Sequence, residues 1–333
     1  IMKLSINNRL VLASPGDTIY GAAKKAGIVI PGLCSSDHLA PFGSCRLCLC
    51  EVEGQSGLPA SCTTPVREGM VVHTESERLT RLRRNIVELY LSEQPAGDRA
   101  PESLQWLAKS LGLRQVRYPQ PSHREDVVDR SNPFFTFDNA ACISCARCVR
   151  ACDEIQGTHA LTMLHRGFAS RPVAGAASLT GEAAGFASSN CVSCGACVKE
   201  CPTGALMEKT VAEQGTPERT VRTTCAYCGV GCAFNAGVRD STVVSMVPAD
   251  DGPSNQGHAC MKGRFGWTYN YAPDRLRVPL LRQGDKWVEI SWPDALDRIA
   301  HEWVRLKDIY GPDALATISS SRAAAKPFSE NTS

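Results

Sequence analysis

The chain is short of several things, and each shortage excludes a class. Apolar runs such as Ile28–Ile30 and Val243–Val244 stop after two or three residues, whereas a membrane-spanning helix needs about 20. No single charge dominates: 36 basic and 34 acidic side chains leave a formal +2. Neither a nucleic-acid-binding field nor an acidic tail is therefore read from it. Aromatic residues are only 6% of the 333. A hydrophobic share of 43% still builds ordinary cores, and domains tied by metal need less apolar core because ligation supplies folding free energy. Ile1-Met2-Lys3-Leu4 opens no charged segment followed by an apolar stretch, and Arg83-Arg84 is internal. No export signal is read, and thiols at C-x-x-C spacing then point to a reducing compartment and metal ligation, so the expected location is cytoplasmic.

What the chain has is cysteine. Its seventeen cysteines resolve into Cys34/Cys45/Cys48/Cys62, Cys142/Cys145/Cys148/Cys152, Cys191/Cys194/Cys197/Cys201 and Cys225/Cys228/Cys232/Cys260, with Cys50 to spare. Iron–sulfur clusters usually take four protein thiolates each, so the arithmetic reads as four clusters along one polypeptide.

The local patterns give an α+β multidomain chain. Asn7-Asn8 between Lys3–Ile6 and Arg9–Leu12 is a hairpin signal, because Asn tolerates the positive φ of a two-residue turn. A helix over roughly Thr18–Ala26 follows Pro15-Gly16-Asp17, with Pro31-Gly32 as its stop. These elements suggest a small ferredoxin-like sheet over 1–78. Residues 79–133 read as a helix and linker. Leu79, Leu82, Ile86 and Leu89 form the apolar stripe of a helix over 76–92, with Arg81, Arg83 and Arg84 on a solvated face. One short helix is expected near Leu104–Leu111. The two central cysteine runs are an internal repeat within a two-cluster domain at 134–212. A further cysteine-bearing domain covers 220–275, and 276–333 begins an α/β domain. There Ser291 can cap a helix, Pro293 suits its first turn and Asp294 complements its dipole. Trp292, Leu296, Ile299, Trp303, Leu306 and Tyr310 are its expected buried stripe, and Ala314–Ile318 a following strand.

The runs Cys142-x2-Cys145-x2-Cys148-x3-Cys152 and Cys191-x2-Cys194-x2-Cys197-x3-Cys201-Pro202 are the sharpest motifs. Two residues between cysteines let three thiolates converge as the backbone wraps a cubane, and the fourth comes from elsewhere. In two-cluster ferredoxins the last cysteine of each run serves the other cluster. That assigns Cys142, Cys145, Cys148 and Cys201 to one 4Fe–4S centre, and Cys191, Cys194, Cys197 and Cys152 to the other. Structural zinc prefers paired knuckles to triple runs. Asp153 stands where the second run has Pro202. In Cys34-x10-Cys45-x2-Cys48-x13-Cys62, Gly43 and Ser44 keep the loop small, so backbone N–H groups can approach the sulfurs. Cys50 reads as a buried small hydrophobe. Gly229-Val230-Gly231 permits a tight turn within Cys225-x2-Cys228-x3-Cys232-x27-Cys260, and His258 is unneeded where four cysteines suffice.

The spacing of the first set departs from plant-type ferredoxins. It resembles the 2Fe–2S module of the complex I large subunit and of iron-only hydrogenases. Cys225-Ala226-Tyr227-Cys228-Gly229-Val230-Gly231-Cys232 and Cys260-Met261-Lys262-Gly263-Arg264 resemble the 4Fe–4S motif of molybdopterin-dependent oxidoreductases, which implies that Lys262 lies between cluster and pterin. The module order, with Cys152-Asp153-Glu154-Ile155-Gln156-Gly157, Arg166-Gly167-Phe168 and Pro273-Asp274-Arg275-Leu276, resembles the α-subunit of cytoplasmic NAD-dependent formate dehydrogenases over residues 1 to about 322. The resemblance implies one 2Fe–2S and three 4Fe–4S clusters, and a molybdenum or tungsten bis-pterin (molybdopterin guanine dinucleotide) in the complete enzyme. It also implies flavin- and NAD-binding diaphorase subunits and a remaining catalytic domain as partners. Many relatives carry a further centre of one histidine and three cysteines after the helix at 76–92. Ser92-Glu93-Gln94-Pro95-Ala96-Gly97-Asp98 has no cysteine, so that centre is expected to be absent. The family's metal-binding cysteine or selenocysteine and its catalytic histidine and arginine lie downstream of this chain, so no catalytic residue is assigned to it. The alternatives are a stand-alone or split non-catalytic electron-transfer subunit, an iron-only hydrogenase, against which the 220–275 motif argues, and a complex I large subunit, disfavoured by the ferredoxin pair.

Overall fold

The computed structural model describes residues 1–94, 101–118, 128–175 and 185–316. The chain divides into two units. One comprises Ile1–Val221 and Asn235–Val247; the other comprises Arg222–Phe234 and Pro248–Ser333.

The first unit opens with strands β1 (Met2–Ile6) and β2 (Arg9–Ala13), joined at Asn7 and Asn8 with φ of 49° and 63°. Left-handed φ at both turn residues matches the right-handed twist of a hairpin, and Asn is among the few side chains that accept it. Helix α1 (Ile19–Lys25) starts where Thr18 Oγ1 accepts from the Gly21 amide at 3.1 Å. It ends at Ala26 with Gly27 at φ 72°, so the stop is this left-handed glycine and not Pro31-Gly32. With β3 (Glu51–Val52) and β4 (Val71–His73), the sheet order is β2-β1-β4-β3. β1 runs parallel to β4 and antiparallel to β2. Alternation places Leu4, Ile6, Val11 and Ala13 inward against Ile19, Ala22 and Ala23 of α1.

Helix α2 (Glu77–Ser92) is capped by Ser76 Oγ, which accepts from the Leu79 amide at 3.2 Å. Its buried face is Leu79, Arg83, Val87 and Glu88, while Leu89 is half exposed. The expected stripe is thus rotated, and Arg83 leaves the solvated face assigned to it. The reason is a pair of backbone acceptors: Arg83 donates to the carbonyls of Leu47 and Leu49 at 2.9 and 2.8 Å. Helix α3 (Glu102–Ser110) packs on α2. The stretch after it is no free linker, because the Arg117 guanidinium pairs with the buried Glu88 carboxylate at 2.6–3.0 Å. The stretch read as lacking a further centre, 92–98, lies partly outside the described residues.

The central domain has β5 (Val128–Asp129), β6 (Phe135–Asp138), α4 (Arg147–Arg150) continued by a π-helical turn at Ala151–Gln156, and β7 (Leu161–Leu164). Then come β8 (Arg171–Ala174), α5 (Ala196–Glu200), β9 (Leu206–Glu208) and α6 (Lys209–Gln214). β5-β6-β9 form one antiparallel sheet and β7-β8 a hairpin.

β10 (Arg219–Thr224), β11 (Ala233–Arg239) and β12 (Thr242–Pro248) form a three-stranded sheet in that order. The second unit adds α7 (Met261–Phe265), the hairpin β13 (Leu280–Gln283) and β14 (Lys286–Glu289), and α8 (Trp292–Tyr310). Ser291 Oγ caps α8, accepting from the Asp294 amide at 3.2 Å, with proline in the first turn as the sequence requires. None of α8 is buried: Trp292, Trp303 and Tyr310 are 63%, 58% and 69% exposed. Its apolar stripe exists but has no cover among the described residues. Pro312–Ala314 is a 3-10 turn instead of the start of a strand, and Thr317-Ile318 lies outside the described residues.

Candidate metal centres

In each of the four sets some of the cysteines lie within electrostatic range of one another, each set in its own manner. In the first, Cys34, Cys45, Cys48 and Cys62 are 1–2% exposed. Hydrogen bonds from Cys45 and Cys62 hold the Cys34 thiol low, and one from Cys62 lowers Cys48. The same bonds, seen from the donors, push Cys45 and Cys62 up. Backbone amides also point inward: Leu33 N–H donates to Cys45 Sγ at 3.4 Å, and Cys45 N–H to Cys34 Sγ at 3.3 Å. Cys50 is fully buried beside this set, with burial pushing its thiol up to about 12.

The ten residues between Cys34 and Cys45 have a visible purpose. They form an arm that lies on the central domain, with Leu39 seated against Ala151 and Ala196. The Ala40 amide donates to Glu154 Oε2 at 2.7 Å, His38 Nε2 meets Lys199 Nζ at 3.2 Å, and the Arg150 guanidinium stands 5.3 Å over the Phe42 ring. Arg147 fastens the arm's root, donating to the Leu33 carbonyl at 3.3 Å and to Glu200 Oε2 at 2.7 Å. Leu33, Cys34, Cys45, Ile143 and Cys145 share one apolar cluster.

The internal repeat of the central domain is written into its backbone. Ser144 and Ala146 have φ of 52° and 59°; Ser193 and Gly195 have 54° and 72°. Left-handed residues at these equivalent positions turn successive amides toward one side, a concave anion-binding shape. Accordingly Ser144 N–H donates to Cys142 Sγ at 3.3 Å and Ser193 N–H to Cys191 Sγ at 3.4 Å. The last cysteine of each run also accepts an amide: Ala160 N–H to Cys152 Sγ at 3.1 Å, Leu206 N–H to Cys201 Sγ at 3.4 Å. Burial raises Cys145 to about 12 and lifts Cys148 well above the ordinary thiol range, and both also feel the charges of Cys142 and Cys201. Burial likewise raises Cys191, which feels Cys194 and Cys152. Cys201 is thus within electrostatic range of Cys145 and Cys148, and Cys152 within that of Cys191; Cys148 also feels Cys197 of the second run.

In the second unit, burial raises Cys232, with the charges of Cys225, Cys228 and Cys260 adding to it. Cys225 N–H donates to the Cys232 carbonyl at 2.8 Å, closing the tight turn. Cys260 begins α7, and Gly263 is what lets that helix approach: a Cβ there would stand 2.8 Å from the Phe234 ring and 3.4 Å from Cys225 Sγ. Lys262 and His258 are exposed, and so is Cys260 itself.

Sets of four cysteines, three of them with amides donating to their sulfurs, suit iron–sulfur clusters, whose sulfurs accept such bonds. Among the described residues, no three His, Cys, Asp or Glu side chains are arranged to hold a single metal ion. Sequence reasoning missed Leu39, Ser61, Arg83 and Arg147. For Arg83 a signal existed, since it stands four residues from both Leu79 and Val87 on one helix face.

Four family models match the chain: a 2Fe–2S iron–sulfur cluster binding domain over residues 2–77, and a 4Fe–4S dicluster domain over 141–205. A molybdopterin oxidoreductase Fe4S4 domain matches 218–272, and a molybdopterin oxidoreductase model 275–327. The NADPH-Fe(3+) oxidoreductase subunit alpha of Geobacter sulfurreducens is 33% identical over 97% of this chain and 37% of its own length. A subunit of the NADH-quinone oxidoreductase of Rhizobium meliloti is 31% identical over 89% of this chain and 35% of its own length. Staphylococcus aureus proteins with a provisional formate dehydrogenase name are 27% identical over 96% of this chain and 36% of theirs. The chain therefore spans about 37% of the length of the first of these relatives. A chain in the crystal structure of an NAD+-reducing [NiFe]-hydrogenase in the H2-reduced state matches with TM-score 0.55 and 32% identity, covering 62% of this chain and 87% of that one. No helix among the described residues is long and apolar enough to cross a membrane. The chain belongs to the iron–sulfur oxidoreductases, combining a 2Fe–2S domain and a 4Fe–4S dicluster domain with the N-terminal region of a molybdopterin oxidoreductase.

Proposed function

We propose that the chain is the electron-transfer portion of a formate dehydrogenase α-subunit. In that reading Cys34, Cys45, Cys48 and Cys62 hold a 2Fe–2S cluster. Cys142, Cys145, Cys148 and Cys201 hold one 4Fe–4S cluster; Cys191, Cys194, Cys197 and Cys152 hold a second; Cys225, Cys228, Cys232 and Cys260 hold a third. The clusters supply one-electron chemistry when bound, between a molybdenum- or tungsten-pterin formate centre and an NAD-reducing flavin subunit in the cytoplasm. Lys262 is placed toward the pterin. The exposed stripe of α8 is covered by further polypeptide of the pterin-binding domain. The chain's own residues space the redox groups and bury the first of them.

One observation carries the relay. Cys45 Sγ accepts from Leu33 N–H, the Leu33 carbonyl accepts from the Arg147 side chain, and Leu33, Cys45 and Cys145 share one apolar cluster. This packing supports the reading in which the Cys142/Cys145/Cys148/Cys201 set is the neighbour of the 2Fe–2S set.

A second reading has its own support. The relatives at 33% and 31% identity bear NADPH-Fe(3+) and NADH-quinone oxidoreductase names, and in that reading the chain is a non-catalytic relay for another reductant. The test is metal and sulfide analysis of the protein with its partners, followed by formate or NADPH addition. About fourteen irons per chain are expected, with cluster bleaching by formate. Stoichiometric zinc would refute the relay; bleaching by NADPH but not formate would favour the second reading.

A further inference from the structure

Two groups around Cys48 are not explained by holding the fold alone. Arg83 is 5% exposed, and its guanidinium spans the carbonyls on either side of Cys48, those of Leu47 and Leu49. Ser61 is fully buried, and its hydroxyl has no hydrogen-bond partner among the described residues. The Ser61 amide donates to the Cys48 carbonyl at 3.0 Å, which keeps its side chain beside that cysteine. The hydroxyl is thus a buried donor left over beside Cys48, available to the sulfurs of a cluster held there.

We propose that Arg83 and Ser61 set the reduction potential of the 2Fe–2S cluster, raising it. The proposal rests on the 2Fe–2S reading of Cys34, Cys45, Cys48 and Cys62. Reduction adds one electron and one negative charge to a buried, all-thiolate cluster. A buried cation and an O–H donor at one of its sulfurs both favour the more negative form, and net charge and hydrogen bonds to sulfur are recognised controls of cluster potential. Acids near Arg83 act in the other direction: Glu75 lies within its electrostatic range, and Glu51 within that of Cys50. Arg83 is therefore a positioning residue with an electrostatic role, and its placement makes the 2Fe–2S set an electron-accepting end of the chain.

The experiment is a mediated potentiometric titration of the holoprotein followed by EPR, with wild type, Arg83→Gln, Arg83→Lys and Ser61→Ala compared. Arg83→Gln should lower the reduced-to-oxidised ratio of the 2Fe–2S cluster about tenfold at fixed potential, equivalent to about 59 mV for one electron. Ser61→Ala should lower it by a smaller factor. Arg83→Lys, which keeps the charge, should recover most of the wild-type value, and the 4Fe–4S midpoints should stay put. A wild-type protein without a 2Fe–2S signal refutes the cofactor reading itself. An intact signal whose midpoint is the same in Arg83→Gln and Ser61→Ala as in wild type overturns the tuning role, as does an equal shift of every cluster. If Arg83→Gln does not assemble, Ser61→Ala decides: a lowered midpoint supports the role and an unchanged one overturns it.

Discussion

Replacing Leu39 with alanine should loosen the arm that ties the first cysteine set to the central domain. Leu39 is 7% exposed and packs against Ala151 and Ala196, with Ile155 and Cys194 at the margin. Leucine-to-alanine changes in cores cost about 2–5 kcal/mol, depending on how well the site collapses. This seat is small and lies at a junction, so the lower part of that range applies, about 2–3 kcal/mol. At 1.4 kcal/mol per tenfold, local opening of the arm becomes roughly 30- to 150-fold more frequent. The Ala40 amide, bonded to Glu154, is the natural reporter. Hydrogen exchange under conditions where opening is a pre-equilibrium should show that rise at Ala40. Ile6, in the sheet core, should stay protected. A change at Ala40 below about threefold, or an equal rise at Ile6, would refute the idea that Leu39 holds the arm.

Other expectations follow from the same contacts. Cys201→Ser should produce the same EPR loss as Cys145→Ser, and Cys152→Ser the same as Cys194→Ser. If Cys201→Ser instead matches Cys194→Ser, the crossed ligand sets are wrong. Hydrogen bonds from Arg117 hold the Glu88 carboxyl below the ordinary carboxylate range. That clamp is present above the range and is released as pH falls through the lowered folded value. Exchange at the Arg117 amide, corrected for intrinsic rate, should therefore be flat from pH 8 to about 5 and rise below it. Glu88→Gln should raise it already at neutral pH. Asn7→Ala removes two bonds to Thr74, at 2.7 and 2.8 Å, and a residue tolerant of φ 49°. A loss of about 2–3 kcal/mol is expected, read as a lower melting temperature of the holoprotein. No change in melting would show that the hairpin is held elsewhere.

The cysteine spacings are legible because cluster ligation imposes short, rigid intervals, and the Asn7-Asn8 hairpin and Ser291 cap because each depends on a few adjacent residues. What escapes depends on distant partners. Arg83 looks like its neighbours Arg81 and Arg84 until the carbonyls of Leu47 and Leu49, more than thirty residues away, are brought to it. The wide Cys34–Cys45 interval reads as a departure from ferredoxin spacing; its reason, a seat for Leu39 formed by Ala151 and Ala196, is set by another domain. The α8 stripe is plainly apolar in the sequence, yet periodicity reports which face wants cover and not whether cover is at hand.

The nearness of Cys201 to the first run also bears on how the protein is made. In the proposed assignment, a ribosome that has passed residue 148 has delivered three of that set's four thiols, and the fourth arrives more than fifty residues later. Translation proceeds at about 5–20 residues per second, so those three cysteines wait some seconds exposed to oxidants and stray metal ions. Cys152, mirrored on the second set, is early by the same logic. With the crossed ligand sets proposed above, the two centres would be completed only together, after residue 201 is out, and their loading would be an event of the finished domain.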